Sequence, residues 1–195
     1  WDPGLGKSFV ALTVAAHASK FGSVLYCAAE DCGATLRWRL THARANLTNV
    51  FTTDEVLPLS SHEGIQQLCH AVSSVRPLLV VLDPLQAYHP RPDRVLMTHL
   101  TILARECPTA VVLIRHLRKS AGRSIIRGLG AIDIAAAARS VLLVAQDPTD
   151  RKGQRRVLLH TKSSLAPAGP TLCFTIEKGR LAWRGRSSVR PEHIK

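Results

Sequence analysis

Aromatic residues are scarce in this chain of 195 residues, at 5% of the sequence, and methionine occurs once. No apolar stretch approaches the roughly 20 residues that a membrane-spanning helix needs, which speaks against a membrane partner. No secretory or transit segment is visible. The five cysteines (Cys27, Cys32, Cys69, Cys107 and Cys173) are an odd number without a C-x-x-C pair. That speaks against a disulfide framework and for a reducing, cytoplasmic compartment. Cys27, Cys107 and Cys173 lie in or beside apolar runs, where a free thiol packs as a small core residue. Nine histidines are scattered without metal-ligand spacing, so zinc is not expected. There is no internal repeat, no low-complexity segment and no linker apart from a polar stretch at 184–195. With 46% hydrophobic residues, the chain is long enough for one domain with a substantial core.

Charge is unevenly shared. Residues 1–110 carry nine Lys/Arg and nine Asp/Glu, whereas residues 111–195 carry seventeen against five and so supply the whole net charge of +12. Such asymmetry points to a polyanionic partner of the C-terminal half, with a merely solvated basic surface as the alternative.

The most informative stretch is Trp1-Asp2-Pro3-Gly4-Leu5-Gly6-Lys7-Ser8. It follows the pattern G-x-x-x-x-G-K-[ST], with Trp1 where the first glycine is expected. In that pattern successive backbone N–H groups wrap phosphates, the lysine bridges their outer oxygens, and the hydroxyl holds Mg²⁺. Gly4 and Gly6 let the backbone curl, Lys7 supplies the cation and Ser8 the metal ligand. A helix from Phe9 to Lys20 would then face the phosphates with its positive end. Asp2, Pro3, Gly4, Leu5, Gly6, Lys7, Ser8 and Phe9 are the candidate nucleotide-binding residues. The pattern requires a strand ahead of the loop, so the chain reads as a fragment whose first strand is missing. A glycine-rich turn with an exposed lysine and a capping serine is the alternative.

Downstream, apolar runs at Val24–Ala28, 78–82 and Ala110–Ile114 predict buried strands. They are separated by helices expected over 33–45, His62–Val75 and Val95–Arg105. A Gly- and Arg-rich segment at 117–130 precedes an alanine-rich helix at 131–138. Strands are then expected at Val141–Ala145, Val157–Thr161, Leu172–Ile176 and Leu181–Trp183, the last two joined by a turn at Glu177-Lys178-Gly179-Arg180. This order predicts an open α/β sheet, parallel at its centre and flanked by helices, with antiparallel strands added toward the C-terminus.

Three residues at predicted strand ends carry the candidate chemistry. Asp83 closes an apolar run, where a carboxylate anchors Mg²⁺; the alternative is a turn-starting aspartate before Pro84. Glu30, just past a strand, is placed to act as the base for an attacking water, the alternative being a surface or capping role shared with Asp31. His116, two residues past a strand, is placed to sense a γ-phosphate, or is simply a loop histidine.

Together, Asp-Pro-Gly-Leu-Gly-Lys-Ser, Ala-Ala-Glu-Asp, Val-Val-Leu-Asp-Pro-Leu, Ile-Arg-His-Leu-Arg-Lys and Arg-Gly-Leu-Gly-Ala-Ile-Asp resemble the RecA-like AAA ATPases, P-loop NTPases of the hexameric replicative helicase group. Within it, RepA-type plasmid helicases and the ATPase domains found beside primases are most similar. The resemblance covers residues 1–183, a RecA-like ATPase domain, leaving 184–195 as a basic polar tail. It implies an Mg²⁺-dependent ATPase with ATP and Mg²⁺ as cofactors, single-stranded DNA as partner, a homo-oligomeric ring (a hexamer), and a fused or associated primase. Lys7 and Ser8 would be the Walker A pair, Glu30 the catalytic glutamate, Asp83 the Walker B aspartate and His116 the sensor. Lys162, Arg127 and Arg139 are the alternatives for a cation reaching the next subunit's nucleotide; where the family carries an arginine two residues after the lysine, this chain has Ser164. Arg115, Arg118, Lys119 and Arg123, with Arg127, occupy the place of the family's DNA-binding loop. The missing strand would stand beside the Walker B strand. A second basic group, Arg151, Lys152, Arg155 and Arg156, reads equally as a solvated hairpin or a binding surface. Two other functions stay open: a KaiC-like or recombination-mediator regulatory ATPase, and a nucleic-acid-binding module with a degenerate nucleotide site.

Overall fold

The computed structural model describes residues 4–53, 55–116 and 132–194, and only the backbone of Ile132 and Asp133. The chain divides into two compact units, Val10–His116 and Trp1–Phe9 together with Leu117–Lys195.

The Val10–His116 unit is built on a parallel sheet of order β2-β1-β3-β4, comprising β1 (Val24–Ala28), β2 (Val50–Phe51), β3 (Leu79–Asp83) and β4 (Ala110–Leu113). Helices α1 (Lys7–Ala18), α2 (Gly33–His42), α3 (His62–Val75), α4 (Leu85–Tyr88) and α5 (Arg94–Glu106) supply its cover. Near-continuous Val/Leu runs suit strands covered on both faces. On one face Val24, Tyr26, Leu79 and Val81 pack with Ala11, Leu12 and Ala15 of α1 and with Leu36 and Leu40 of α2. The alternate residues Leu25, Cys27, Val80 and Leu82 are equally buried, and α3 and α5 contact β1 and β4. Burying one such side chain contributes about 1.5–3 kcal/mol.

Local signals set the helix ends. Ser61 Oγ accepts from Gly64 N at 3.1 Å and Asp93 Oδ1 accepts from Leu96 N at 2.9 Å, capping α3 and α5. Helix α2 stops at His42 rather than at residue 45, because Arg44 turns left-handed (φ 62°) and Ala45 N returns to Leu40 O at 3.0 Å. Helix α1 begins at Lys7, two residues earlier than the hydrophobic pattern suggests. The short strand β2 lies in a stretch that reads as turn-rich in sequence.

In the other unit, α6 (Ile132–Ala137) precedes an antiparallel sheet of order β5-β6-β7-β8, made of β5 (Ser140–Gln146), β6 (Arg156–Ser163), β7 (Leu172–Glu177) and β8 (Arg180–Arg186). Left-handed backbone at Lys178 and Gly179 makes the tight β7–β8 turn. Residues 184–195 are more than a polar tail: β8 runs to Arg186 and Val189 enters a core with Leu143, Ala145, Val157 and Leu159, against which Ile194 packs.

One sequence expectation changes here. The antiparallel strands do not extend the parallel sheet; among the described residues they pair only with one another. Within the parallel sheet β3 pairs with β1 and β4, and the outer strands are β2 and β4.

Candidate nucleotide site

Parallel register brings three of the singled-out residues to one edge of the first sheet. Ala28 pairs with Asp83 and Leu82 with Leu113, so the carboxyl ends of β1, β3 and β4 lie side by side. Ala29 N donates to Asp83 O at 3.0 Å, which places Glu30 one residue beyond that rung, solvent-exposed. His116 follows β4 by three residues. Carboxyl-end crevices of this kind are where open α/β sheets bind ligands.

Asp83 is 7% exposed and shares the face of Leu79 and Val81, the face that α1 covers. Tyr26, next along that face on β1, donates from Oη to Asp83 Oδ2 at 2.7 Å. Burial, and then the Asp83 charge, hold the Tyr26 hydroxyl well above its ordinary range, so it stays a donor. The carboxylate is thus aimed by a phenol. Asp31 does not cap α2, whose first turn receives no side-chain cap; it accepts from Arg39 Nη1 at 2.7 Å. The Gln86 side chain brackets the His116 backbone, with Nε2 donating to His116 O at 3.3 Å and Oε1 accepting from His116 N at 3.5 Å. Leu85 N donates to Ile114 O at 2.8 Å, tying the start of α4 to the same segment. Burial lowers the Arg115 pKa; its guanidinium is partly withdrawn from water.

In the other unit, Gly4 and Gly6 have φ of 100° and 94°, a backbone that side-chain-bearing residues rarely adopt. Backbone that alternates between left- and right-handed residues ahead of a helix start is how successive N–H groups converge on an anion. Lys7 and Ser8 are the first two residues of α1. These features fit the phosphates of an Mg²⁺-nucleotide, and the buried carboxylate of Asp83 is of the chemical type that anchors such a metal. Gly6 is also close-packed: a Cβ there would lie 2.9 Å from Ile176 Cδ1 and 3.3 Å from Phe174 Cε2. Arg156 Nη2 donates to Gly4 O at 3.5 Å.

Lys162 lies on β6, and its Nζ donates to the carbonyls of Ala135, Ala136 and Ala138, each at 2.8 Å. The ammonium therefore caps the carbonyl end of α6. Arg139 has an exposed side chain, and its carbonyl accepts from Ser164 N at 2.9 Å. Asp2, Pro3, Arg118, Lys119, Arg123 and Arg127 lie outside the described residues. The second basic group divides: Arg155 pairs with Asp147 at 3.5 Å, whereas Arg156 turns to the glycine loop.

Sequence reasoning passed over Tyr26 and Gln86, and placed Arg156 only in a basic group that reads equally as a solvated hairpin or a binding surface. For Tyr26 a signal exists, since a lone hydroxyl-bearing residue inside an apolar strand next to Asp83's strand needs a polar partner. Gln86, three residues beyond Asp83, carries no comparable signal, and nothing in the sequence singles out Arg156 from its basic neighbours.

The AAA domain family matches this chain over residues 2–122, which takes in the glycine loop, Glu30, Asp83 and His116. No curated protein matches the chain. Among the described residues no helix is long and apolar enough to cross a membrane.

Proposed function

Because the chain belongs to the AAA domain family of nucleotide-binding P-loop ATPases, we propose that it is a helicase-type motor domain that hydrolyses ATP with Mg²⁺ and acts on single-stranded DNA. The observation that carries the ATPase reading is the buried Asp83 carboxylate, held by Tyr26, with Glu30 two residues beyond the neighbouring strand. Lys7 and the loop N–H groups would neutralise and hold the phosphates, and Ser8 and Asp83 would hold Mg²⁺. The metal, when bound, offsets charge that develops on the transferred phosphoryl oxygens. Exposed Glu30 takes the proton of the attacking water. His116, its backbone fixed by Gln86, responds to the γ-phosphate. Working in a ring, a hexamer, with a primase fused or associated, would place an in-trans cation, Lys162, Arg139 or Arg127, at each site. The DNA reading is supported by the excess of seventeen Lys/Arg over five Asp/Glu in residues 111–195.

Mg²⁺-ATP turnover of the full chain, with and without single-stranded DNA, tests this beside Lys7→Ala and Glu30→Gln. Lys7→Ala is expected to lose nucleotide affinity. Glu30→Gln is expected to keep it while turnover falls by about 10²-fold or more. Turnover stimulated by DNA supports the motor; turnover indifferent to DNA supports a regulatory ATPase instead. Undiminished turnover in Glu30→Gln would remove that residue from the chemistry.

A further inference from the structure

Strand β6 starts at Arg156, and its side chain leads to the glycine loop. The Arg156 Cδ stands 3.7 Å from where a Cβ of Gly6 would be, so the aliphatic stem packs against the loop. Nη1 donates to Gln154 O at 2.9 Å and Nη2 to Gly4 O at 3.5 Å, the latter at the limit of a hydrogen bond. Nε is buried without a hydrogen-bond partner. No carboxylate among the described residues lies within ion-pair distance of this guanidinium. Its neighbour Arg155 differs on each point, since it pairs with Asp147 and bonds Thr149 Oγ1 at 3.3 Å. A guanidinium has five donors and no acceptor. Here two are spent on neutral carbonyls, one of them distant, and one is buried unused, an arrangement that is costly unless an anion takes part.

We propose that Arg156 is a second cation of the nucleotide site, delivered from the antiparallel sheet to the phosphates held by the glycine loop. The inference rests on the nucleotide-binding reading above. A phosphate oxygen is a stronger acceptor for a guanidinium than a backbone carbonyl at 3.5 Å, so a bound di- or triphosphate draws the side chain away from Gly4 O. Its charge then adds to that of Lys7. Because Arg156 sits on β6 while Gly6 packs on Phe174 and Ile176 of β7, nucleotide occupancy is felt directly by this sheet.

The test is binding of the fluorescent analogue mant-ATP to the full chain, with ADP and adenosine as competitors. Arg156→Gln is expected to weaken ATP and ADP by roughly tenfold, as for loss of one charge-assisted contact, and to leave adenosine unchanged. Arg156→Lys should recover most of that loss, and Arg155→Gln should bind like the parent. Arg156→Met keeps the stem against Gly6 while removing the charge, so it gives the same reading if Arg156→Gln does not fold. Unchanged ATP affinity in Arg156→Gln or Arg156→Met, beside a Lys7→Ala that no longer binds, would overturn this inference alone. So would an Arg156→Lys as weak as Arg156→Gln. A parent chain that binds no mant-ATP would overturn the nucleotide-binding reading, and this inference with it.

Discussion

In the parallel sheet β3 is buried at all five positions and β1 at four of five, whereas β8 of the antiparallel sheet buries one residue in seven. The difference follows from cover. Helices lie on both faces of the parallel sheet, so its strands are apolar throughout. The antiparallel sheet has a core of Leu143, Ala145, Val157, Leu159 and Val189, and the alternate residues Val144, Leu158 and Phe174 are buried too, but its outer strand β8 is little covered. That strand is free to carry charge, and its Arg180, Arg184 and Arg186 are all exposed. The comparison also separates two kinds of chemistry. The parallel unit holds the carboxylates Glu30 and Asp83 at its strand ends; the antiparallel unit holds cations whose acceptors are backbone carbonyls, Lys162 on α6 and Arg156 at Gly4. Packing fixes the strands that carry the first set, with a hydrogen bond from Tyr26 aiming Asp83, whereas the second set is held by hydrogen bonds to carbonyls.

The sharpest break of that contrast on the parallel side is at Gly64. A Cβ there would meet Pro58 O at 2.2 Å and Leu59 N at 3.1 Å, both backbone atoms that cannot swing aside. Gly64→Ala is therefore expected to cost about 3 kcal/mol, seen as a lower urea midpoint. Gly33, at the start of α2, has nothing within 4 Å of its Cβ position. Gly33→Ala should stabilise by about 0.5–1 kcal/mol, because the unfolded chain loses freedom. Equal effects of the two substitutions would show that Pro58 and its loop yield, and that packing does not fix this unit.

A smaller effect is expected on the antiparallel side. The Lys162 ammonium joins β6 to the last turn of α6 through three carbonyls. Lys162→Met keeps the stem but frees those carbonyls, which should cost about 1–2 kcal/mol of stability. The same variant sharpens its proposed in-trans role. If turnover falls far more than stability explains while the urea midpoint holds, the ammonium leaves α6 to act elsewhere. If the midpoint falls and turnover follows it, the lysine is a helix cap, and the in-trans cation is sought at Arg139 or Arg127.

The two units were also unequally legible. Val24–Ala28 coincides with β1, His62–Val75 with α3, and the run at 78–82 is shifted by one residue from β3. Long apolar runs and amphipathic spacing are strong local signals, and Glu30, Asp83 and His116 follow from them because strand ends converge once the strands are parallel. The turn at Lys178-Gly179 was equally readable, since turn chemistry is local. What stayed hidden depends on distant pairs: Tyr26 with Asp83, Gln86 with His116, Arg156 with Gly4. That the antiparallel strands form their own sheet was likewise invisible, because strand propensity states nothing about which strands become neighbours.

The finest difference concerns thiols. Burial pushes the Cys27 thiol, on β1, up to about 11 from 9.0, and also raises Cys173 on β7. Cys32 is exposed, and its Sγ lies 3.2 Å from Thr35 Oγ1, whose hydrogen bond lowers its pKa. At pH 8 a disulfide reagent such as dithionitrobenzoate should therefore label Cys32 first, since the thiolate is the attacking form. Cys27 and Cys173 should react only on unfolding, one in each unit, so their labelling reports the opening of the two sheets separately. The sign for stability follows from the raised value. Below pH 9.0 Cys27 is neutral in both states; as pH rises from there to about 11 the unfolded chain ionises first and this contribution is lost. Urea midpoints should thus fall over that window by less in Cys27→Ser than in the parent. Equal falls would mean that the Cys27 pocket admits water and that the parallel sheet is less tightly covered than its buried strands indicate.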